Sequence, residues 1–155
     1  MDFWQVINQR KSIRRFNPQK KVPKELIEKI IRVAHRAPSA GNVHPESFII
    51  VYKEEIKKKL AQIALNQDFI SQAPVVIVVL ADLDKSAFYY GDRGRELYAI
   101  CDTAAAIENL LLAATALGLS TCWVGAFDEE KIREILKIKK GIRPIAIIPL
   151  GYKEG

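Results

Sequence analysis

The run Pro74-Val75-Val76-Ile77-Val78-Val79-Leu80 narrows the choice of folds more than any other stretch of the chain. Its β-branched residues favour a strand, and the lack of polar alternation means that both faces of that strand leave water. Such a strand belongs in the middle of a sheet with helices on either side. Two more apolar stretches read as strands of the same sheet, Phe48 to Tyr52 and Pro144 to Leu150, and a further strand is expected over Ser120 to Val124.

Helical periodicity fills the intervals. Phe3, Trp4, Val6 and Ile7 recur at helical spacing, and the basic stretch that follows ends in the turn signal Asn17-Pro18. Pro23 suits a first helical turn, and Leu26, Ile27, Ile30, Ile31 and Ala34 line one face, so a helix is expected over about 23–36. Ile56, Leu60, Ile63 and Ala64 mark a helix over Glu54 to Leu65, and Asp128 caps one running to about Ile138. Asp82 to Gly94, with two glycines, reads as a loop that leads into a long apolar helix from near Arg95 to Gly118.

That long helix is apolar almost all round, more than one small sheet can cover. Either it is the core of the domain or a second subunit covers it, and the small size of the chain favours the second subunit. A membrane span is disfavoured, because Asp102 and Glu108 would each cost about 2.5–3.5 kcal/mol at mid-bilayer. At 155 residues a single domain over 1–155 is expected. Hydrophobic residues make up 49% and charged residues 27%, which excludes disordered and fibrous classes. The N-terminus lacks an apolar signal core, and Cys101 and Cys122 form no metal or redox pattern, so a cytoplasmic location is expected.

The net charge of +6 suits phosphate-bearing partners without choosing among nucleic acid, anionic lipid and a phosphorylated cofactor. No RNA- or DNA-binding motif is present, which argues against nucleic acid. HExxH, GxSxG, GxGxxG, a Walker loop and paired carboxylates are missing as well, so no catalytic side chain is assigned and any chemistry must come from a cofactor. Arg10, Lys11, Ser12, Arg14 and Arg15 gather four cations and a hydroxyl, a donor set suited to phosphate. Taken alone, the run also reads as a solvated face. The second cluster, Pro38-Ser39-Ala40-Gly41-Asn42-Val43-His44-Pro45, lets backbone approach a flat ring, although an ordinary helix-to-strand turn looks similar. His44 receives no proton-transfer role.

Together, Arg10-Lys11-Ser12-Ile13-Arg14-Arg15-Phe16 and Ala37-Pro38-Ser39-Ala40-Gly41-Asn42-Val43-His44-Pro45 closely resemble the nitroreductase family of FMN enzymes. Asn66-Gln67 ahead of Gln72-Ala73-Pro74, Leu117 to Phe127, and Ile147-Ile148-Pro149-Leu150-Gly151-Tyr152 are similar to that family's later segments in order and spacing. The resemblance implies an α+β fold, an α/β sandwich whose central, mostly antiparallel or mixed sheet is flanked by helices, with a long buried helix at a homodimer interface. It implies FMN as cofactor, NADH or NADPH as electron donor, and a small-molecule acceptor such as a nitroaromatic, a quinone or a flavin. A flavin-binding or regulatory protein of the same fold with little turnover is the alternative.

By the same resemblance, Arg10, Lys11, Ser12 and Arg14 hold the phosphate, ribityl chain and pyrimidine edge of FMN, while Pro38, Ser39 and Asn42 come from the other subunit. Asn66 contacts the pyrimidine side. Backbone at Val124 and Gly125 faces the central ring, where an N–H can reach the flavin N5. His44 stands where relatives often carry Gln. The chain ends shortly after Gly151-Tyr152, where relatives often continue into a basic segment, and Lys153 is the only cation left there, so the expectation is either weaker FMN affinity than usual or a phosphate that relies on Arg10 and its neighbours. Phe88, Tyr89 and Tyr90 occupy the region that often covers the flavin, and Cys122 and Trp123 are expected in the core.

Overall fold

The computed structural model describes residues 1–155. Helices α1 (Phe3–Gln9) and α2 (Lys24–Ala34) lead into strand β1 (Glu46–Val51), followed by α3 (Glu54–Ile63), α4 (Phe69–Gln72) and β2 (Val75–Asp82). Helices α5 (Leu83–Arg93) and α6 (Ala99–Ala116) precede β3 (Ser120–Thr121), α7 (Glu129–Leu136) and β4 (Ile142–Gly151). The strands order as β1-β2-β4-β3 and every neighbouring pair is antiparallel, which gives the expected α+β architecture with an antiparallel sheet between helices.

Strand β2 is central and buried from Val75 to Ala81. Its alternating side chains separate two cores. Val75, Ile77 and Val79 pack with Ile27, Ile30 and Ala34 of α2 and with Ala106, Ile107 and Leu110 of α6. Val76, Val78 and Leu80 pack on the other side with Leu60, Ala61, Ile70 and Ile132 from α3, α4 and α7. Each fully buried Val, Leu or Ile is worth about 1.5–3 kcal/mol relative to exposure, so the unalternated run of β2 stabilises both layers at once.

Prolines shape the neighbouring strand. Pro144 lies opposite Leu80 beside a register shift in the β2–β4 ladder, a bulge position where its missing N–H costs little. Pro149 has a larger effect. Ile147 exchanges hydrogen bonds with Val124, so Pro149, two residues further on, would direct an N–H the same way but has none to give. The strand expected over Ser120 to Val124 is therefore interrupted, and it pairs only at Ser120–Thr121 and again at the Val124–Ile147 bridge.

Asp82 to Gly94, read from sequence as a loop, is mostly helical. The Asp82 carboxylate accepts from the Lys85 N–H at 3.0 Å and starts α5, a cap hidden among the glycines and aromatics that follow. The helix kinks at Gly91, and one wide turn over Gly94–Tyr98 joins it to α6, so regular helix begins at Ala99 and not near Arg95. The long helix is also less buried than its sequence suggests. Its sheet-facing side (Ala99, Thr103, Ala106, Ile107, Leu110, Leu111 and Ala114) is covered, while Ile100, Ala104, Ala105 and Leu112 are only half-buried and Cys101 is exposed.

Gly94 lies so close to the Ser86 carbonyl that a Cβ would run into backbone. Gly94→Ala should therefore destabilise the protein by about 1–3 kcal/mol, read as a lower urea midpoint with an unchanged slope.

Candidate functional site

Residues 10–17 are laced into the sheet end. The Arg10 N–H closes α1 on the Val6 carbonyl, the Ile13 N–H donates to the Thr121 carbonyl at 2.9 Å, and the Asn17 N–H donates to the Tyr152 carbonyl at 2.9 Å. The Glu154 N–H reaches back to the Arg15 carbonyl. Phe16, 1% exposed, anchors the segment in the interior, leaving Lys11, Ser12, Arg14 and Arg15 at the surface and Arg10 partly so. Arg15 pairs with Glu154 at 3.3 Å, whereas Arg10, Lys11, Arg14 and Lys153 have no carboxylate within ion-pair distance.

Two open hollows flank this segment. One, about 440 Å³, is lined by Lys11, Lys20 and Lys153 together with Gln9 and Ser120, with no acidic residue in its lining. Lys20, whose Nζ lies 4.0 Å from the Tyr152 ring centre, was not picked out from the sequence. The Asn17-Pro18 turn brings it back towards the site: the Asn17 side chain accepts from the Gln19 N–H and its carbonyl from the Lys20 N–H. The other hollow, about 610 Å³, sets Arg14 beside Phe69 and Gln72 of α4.

Asn66 leads into α4 with a left-handed backbone (φ 54), a conformation asparagine tolerates; its N–H donates to the Gln62 carbonyl, while its exposed side-chain amide makes no hydrogen bond within the chain. The Asp128 N–H donates to the Ile63 carbonyl, tying the end of α3 to the stretch that contains Val124 and Gly125. Those two residues differ in what they offer. The Val124 N–H is committed to the Ile147 carbonyl at 2.9 Å, but the exposed Gly125 N–H has no partner in the chain. Behind them burial pushes the Cys122 thiol up, opposed by the charge of Arg14 and a hydrogen bond from Ser12, so the sulfur stays protonated at neutral pH. Cys122 is a core residue as expected, while Trp123 is not: it is 38% exposed.

The second cluster is built around strained backbone. Gly41 (φ 61), Asn42 (φ 58) and His44 (φ 52) all adopt left-handed conformations, and the Tyr90 hydroxyl fills the space where a Cβ at Gly41 would lie. The Ser39 hydroxyl accepts from the His44 N–H at 3.0 Å, and the Ala40 N–H donates to the Asp102 carboxylate of α6 at 3.1 Å. Pro38 and Asn42 are exposed. This turn is fixed to the beginning of α6, whereas Ser12 joins Thr121 beyond its end. From Asp102 to Ala116 the helix spans about 21 Å at 1.5 Å per residue, more than the length of an isoalloxazine. Arg10, Lys11, Ser12, Arg14, Asn66, Val124, Gly125 and Lys153 thus share one region of the chain, and Pro38, Ser39 and Asn42 lie in another.

Burial raises the Asp102 carboxyl above its usual range; the Ala40 bond opposes that, Glu46 adds to it and His44 opposes it. A raised folded-state value means that the stability contributed by this group is present at low pH and lost as pH rises through its titration. Asp102→Asn keeps an acceptor for the Ala40 N–H without the charge. It should therefore raise the thermal midpoint at pH 7 and match the parent at pH 3.5, while Asp102→Ala should cost about 1 kcal/mol at pH 3.5 and less at pH 7, where it also removes the buried charge.

Residues 7–67 and 63–152 match the Nitroreductase family. A candidate NADH dehydrogenase/NAD(P)H nitroreductase of Methanothermobacter thermautotrophicus is 34% identical over 158 residues, which cover 98% of this chain and 78% of that one. The crystal structure of a nitroreductase family protein from Clostridium novyi NT has a TM-score of 0.90 at 36% identity, covering 99% of this chain and 86% of the other. An FMN-dependent nitroreductase from Clostridium difficile R20291 has a TM-score of 0.84 at 28% identity, covering 99% and 88%. The fold, the order of its motifs and these matches agree: the chain belongs to the nitroreductase family.

Proposed function

We propose that this protein is an FMN-dependent oxidoreductase that moves reducing equivalents from NADH or NADPH to a small oxidised acceptor such as a nitroaromatic, a quinone or a flavin. Carrying this reading is the set of unpaired cations, Arg10, Lys11, Arg14 and Lys153, in segments laced to the sheet end whose neighbouring loop presents the uncommitted Gly125 N–H. That donor set fits a phosphorylated ring cofactor, with cations for the phosphate and a neutral backbone donor for a ring nitrogen. FMN, when bound, supplies the two-electron chemistry.

The chain's own residues hold and orient. Arg10, Lys11 and Lys153 face the phosphate, and Ser12 offers a hydroxyl to the ribityl chain. Arg14 and Asn66 lie at the pyrimidine end, where a cation stabilises negative charge that develops on reduction. Val124 keeps the last strand bridge closed, and the neighbouring Gly125 N–H is left uncommitted. Pro38, Ser39 and Asn42 of the partner subunit cover the ring, a reading supported by the attachment of that turn to the beginning of α6 while the basic segment lies beyond its end. The half-buried apolar face of α6 supports this homodimer. We place the protein, as one domain, in the cytoplasm, where free Cys101 and Cys122 are stable and where neither nucleic acid nor membrane is its partner.

Purified protein should show a flavin absorption spectrum that NADH or NADPH bleaches without oxygen, and should sediment as a dimer. A yellow protein that neither nicotinamide reduces would point to flavin binding without turnover, and protein that cannot be loaded with FMN would sink both readings. Arg10→Ala should raise the FMN dissociation constant about tenfold and Ser12→Ala about fivefold, as measured by quenching of flavin fluorescence.

A further inference from the structure

At the base of the Pro38–Pro45 turn lies a carboxylate that the flavin reading leaves unused. Glu46 opens β1 with its side chain only 1% exposed. Its Oε1 lies 3.3 Å from Nδ1 of His44 and 3.4 Å from Nδ1 of His35, and its Oε2 has no partner. On its far side, Nε2 of His44 lies 2.6 Å from Oδ1 of Asn42, whose side chain is at the surface. His44 is therefore held at both ring nitrogens, between a buried acceptor and an exposed amide.

The hydrogen-bond inventory of these groups couples them. A carboxylate only accepts, so Nδ1 of His44 must be the donor to Glu46, and a buried carboxylate with one oxygen already unpartnered holds on to that donor. Protonated His44 has a second N–H, at Nε2, which donates to Asn42 Oδ1 and leaves the Asn42 NH2 facing outward. Neutral His44 has a lone pair at Nε2 instead, and the contact survives only if the Asn42 amide turns over, giving its NH2 to the ring and its oxygen to the surface.

We propose that His44 is a positioning residue whose protonation selects which end of the Asn42 amide is offered to a ligand, the donor when charged and the acceptor when neutral. The inference rests on the flavin reading only for the identity of that ligand. FMN presents mainly acceptors along its ring edge, so protonated His44 is the form that binds it better. Three other charged groups around this turn hold contacts of their own, and Asp82, at the start of α5, donates its N–H to the Pro45 carbonyl and accepts the Lys85 N–H. His35, from the end of α2, shares Glu46 Oε1; Asp102, from α6, holds the Ala40 N–H; and Lys85, from α5, donates to the His44 carbonyl at 3.3 Å. The Tyr90 hydroxyl packs on Gly41.

Two measurements test this. In the flavin-free full-length protein, side-chain NMR should show the Asn42 NH2 resonances shifting with the same midpoint as the His44 ring between pH 5.5 and 8. Asn42 resonances that stay fixed while the His44 ring titrates would overturn the proposal, whether or not FMN binds. FMN dissociation constants over the same range should then separate the parent from His44→Gln. Titration of the flavin phosphate is common to both proteins, so the ratio of their affinities isolates His44 and should change about fivefold from pH 5.5 to pH 8. A constant ratio would overturn the proposal, as would loss of the effect in His35→Gln, which leaves the His44–Asn42 contact in place. Failure of the parent to bind FMN would sink the flavin reading and leave the NMR result to decide this one.

Discussion

Complete burial of β2 is the constraint from which the remaining architecture follows. A strand dry on both faces needs an apolar layer on each side, and this chain supplies one from α2 and α6 and another from α3, α4 and α7. Placing α6 along the first layer fixes where its two ends point. One end carries the Ala40–Asp102 contact and the other leads into β3 and the basic segment. Packing of hydrophobic side chains thereby sets the separation between two polar clusters that share no residues.

Electrostatics then distinguishes the two ends. Around Arg10 the cations stand without carboxylate partners, except where Arg15 meets Glu154, and the nearby groove has no acidic residue in its lining. Around Asn42 the charges are internally compensated: Glu46 faces two imidazoles, and Asp102 accepts a backbone N–H. The first region is left with donors to spend on an anion, and the second is arranged to keep an irregular turn in place.

Much of this was legible in the residues, because the signals were local. The unalternated run of β2, the apolar stripe of α2 and the Asp128 cap of α7 each depend on neighbours close in sequence. What escaped depends on partners distant in sequence. The cap at Asp82 was masked by Gly91, Gly94 and three aromatics, so α5 read as a loop. The early end of β3 follows from Pro149, twenty-eight positions after Thr121, and no inspection of the Ser120–Val124 stretch alone reveals it. The motif carried both Val124 and Gly125, and only the ladder showed that one N–H is committed and the other free. Lys20 required knowing that the Asn17 turn folds back over Tyr152.

The interruption of β3 also bears on how the protein behaves in a crowded solution. Open sheet edges invite strands from other molecules, and long flat edges are the usual starting point of aggregation. Here the edge next to β4 carries two paired residues, a gap imposed by Pro149 and one isolated bridge, so it offers no continuous row of donors and acceptors to an incoming strand. The same proline that ends β3 early beside the candidate site thus denies that edge to strangers.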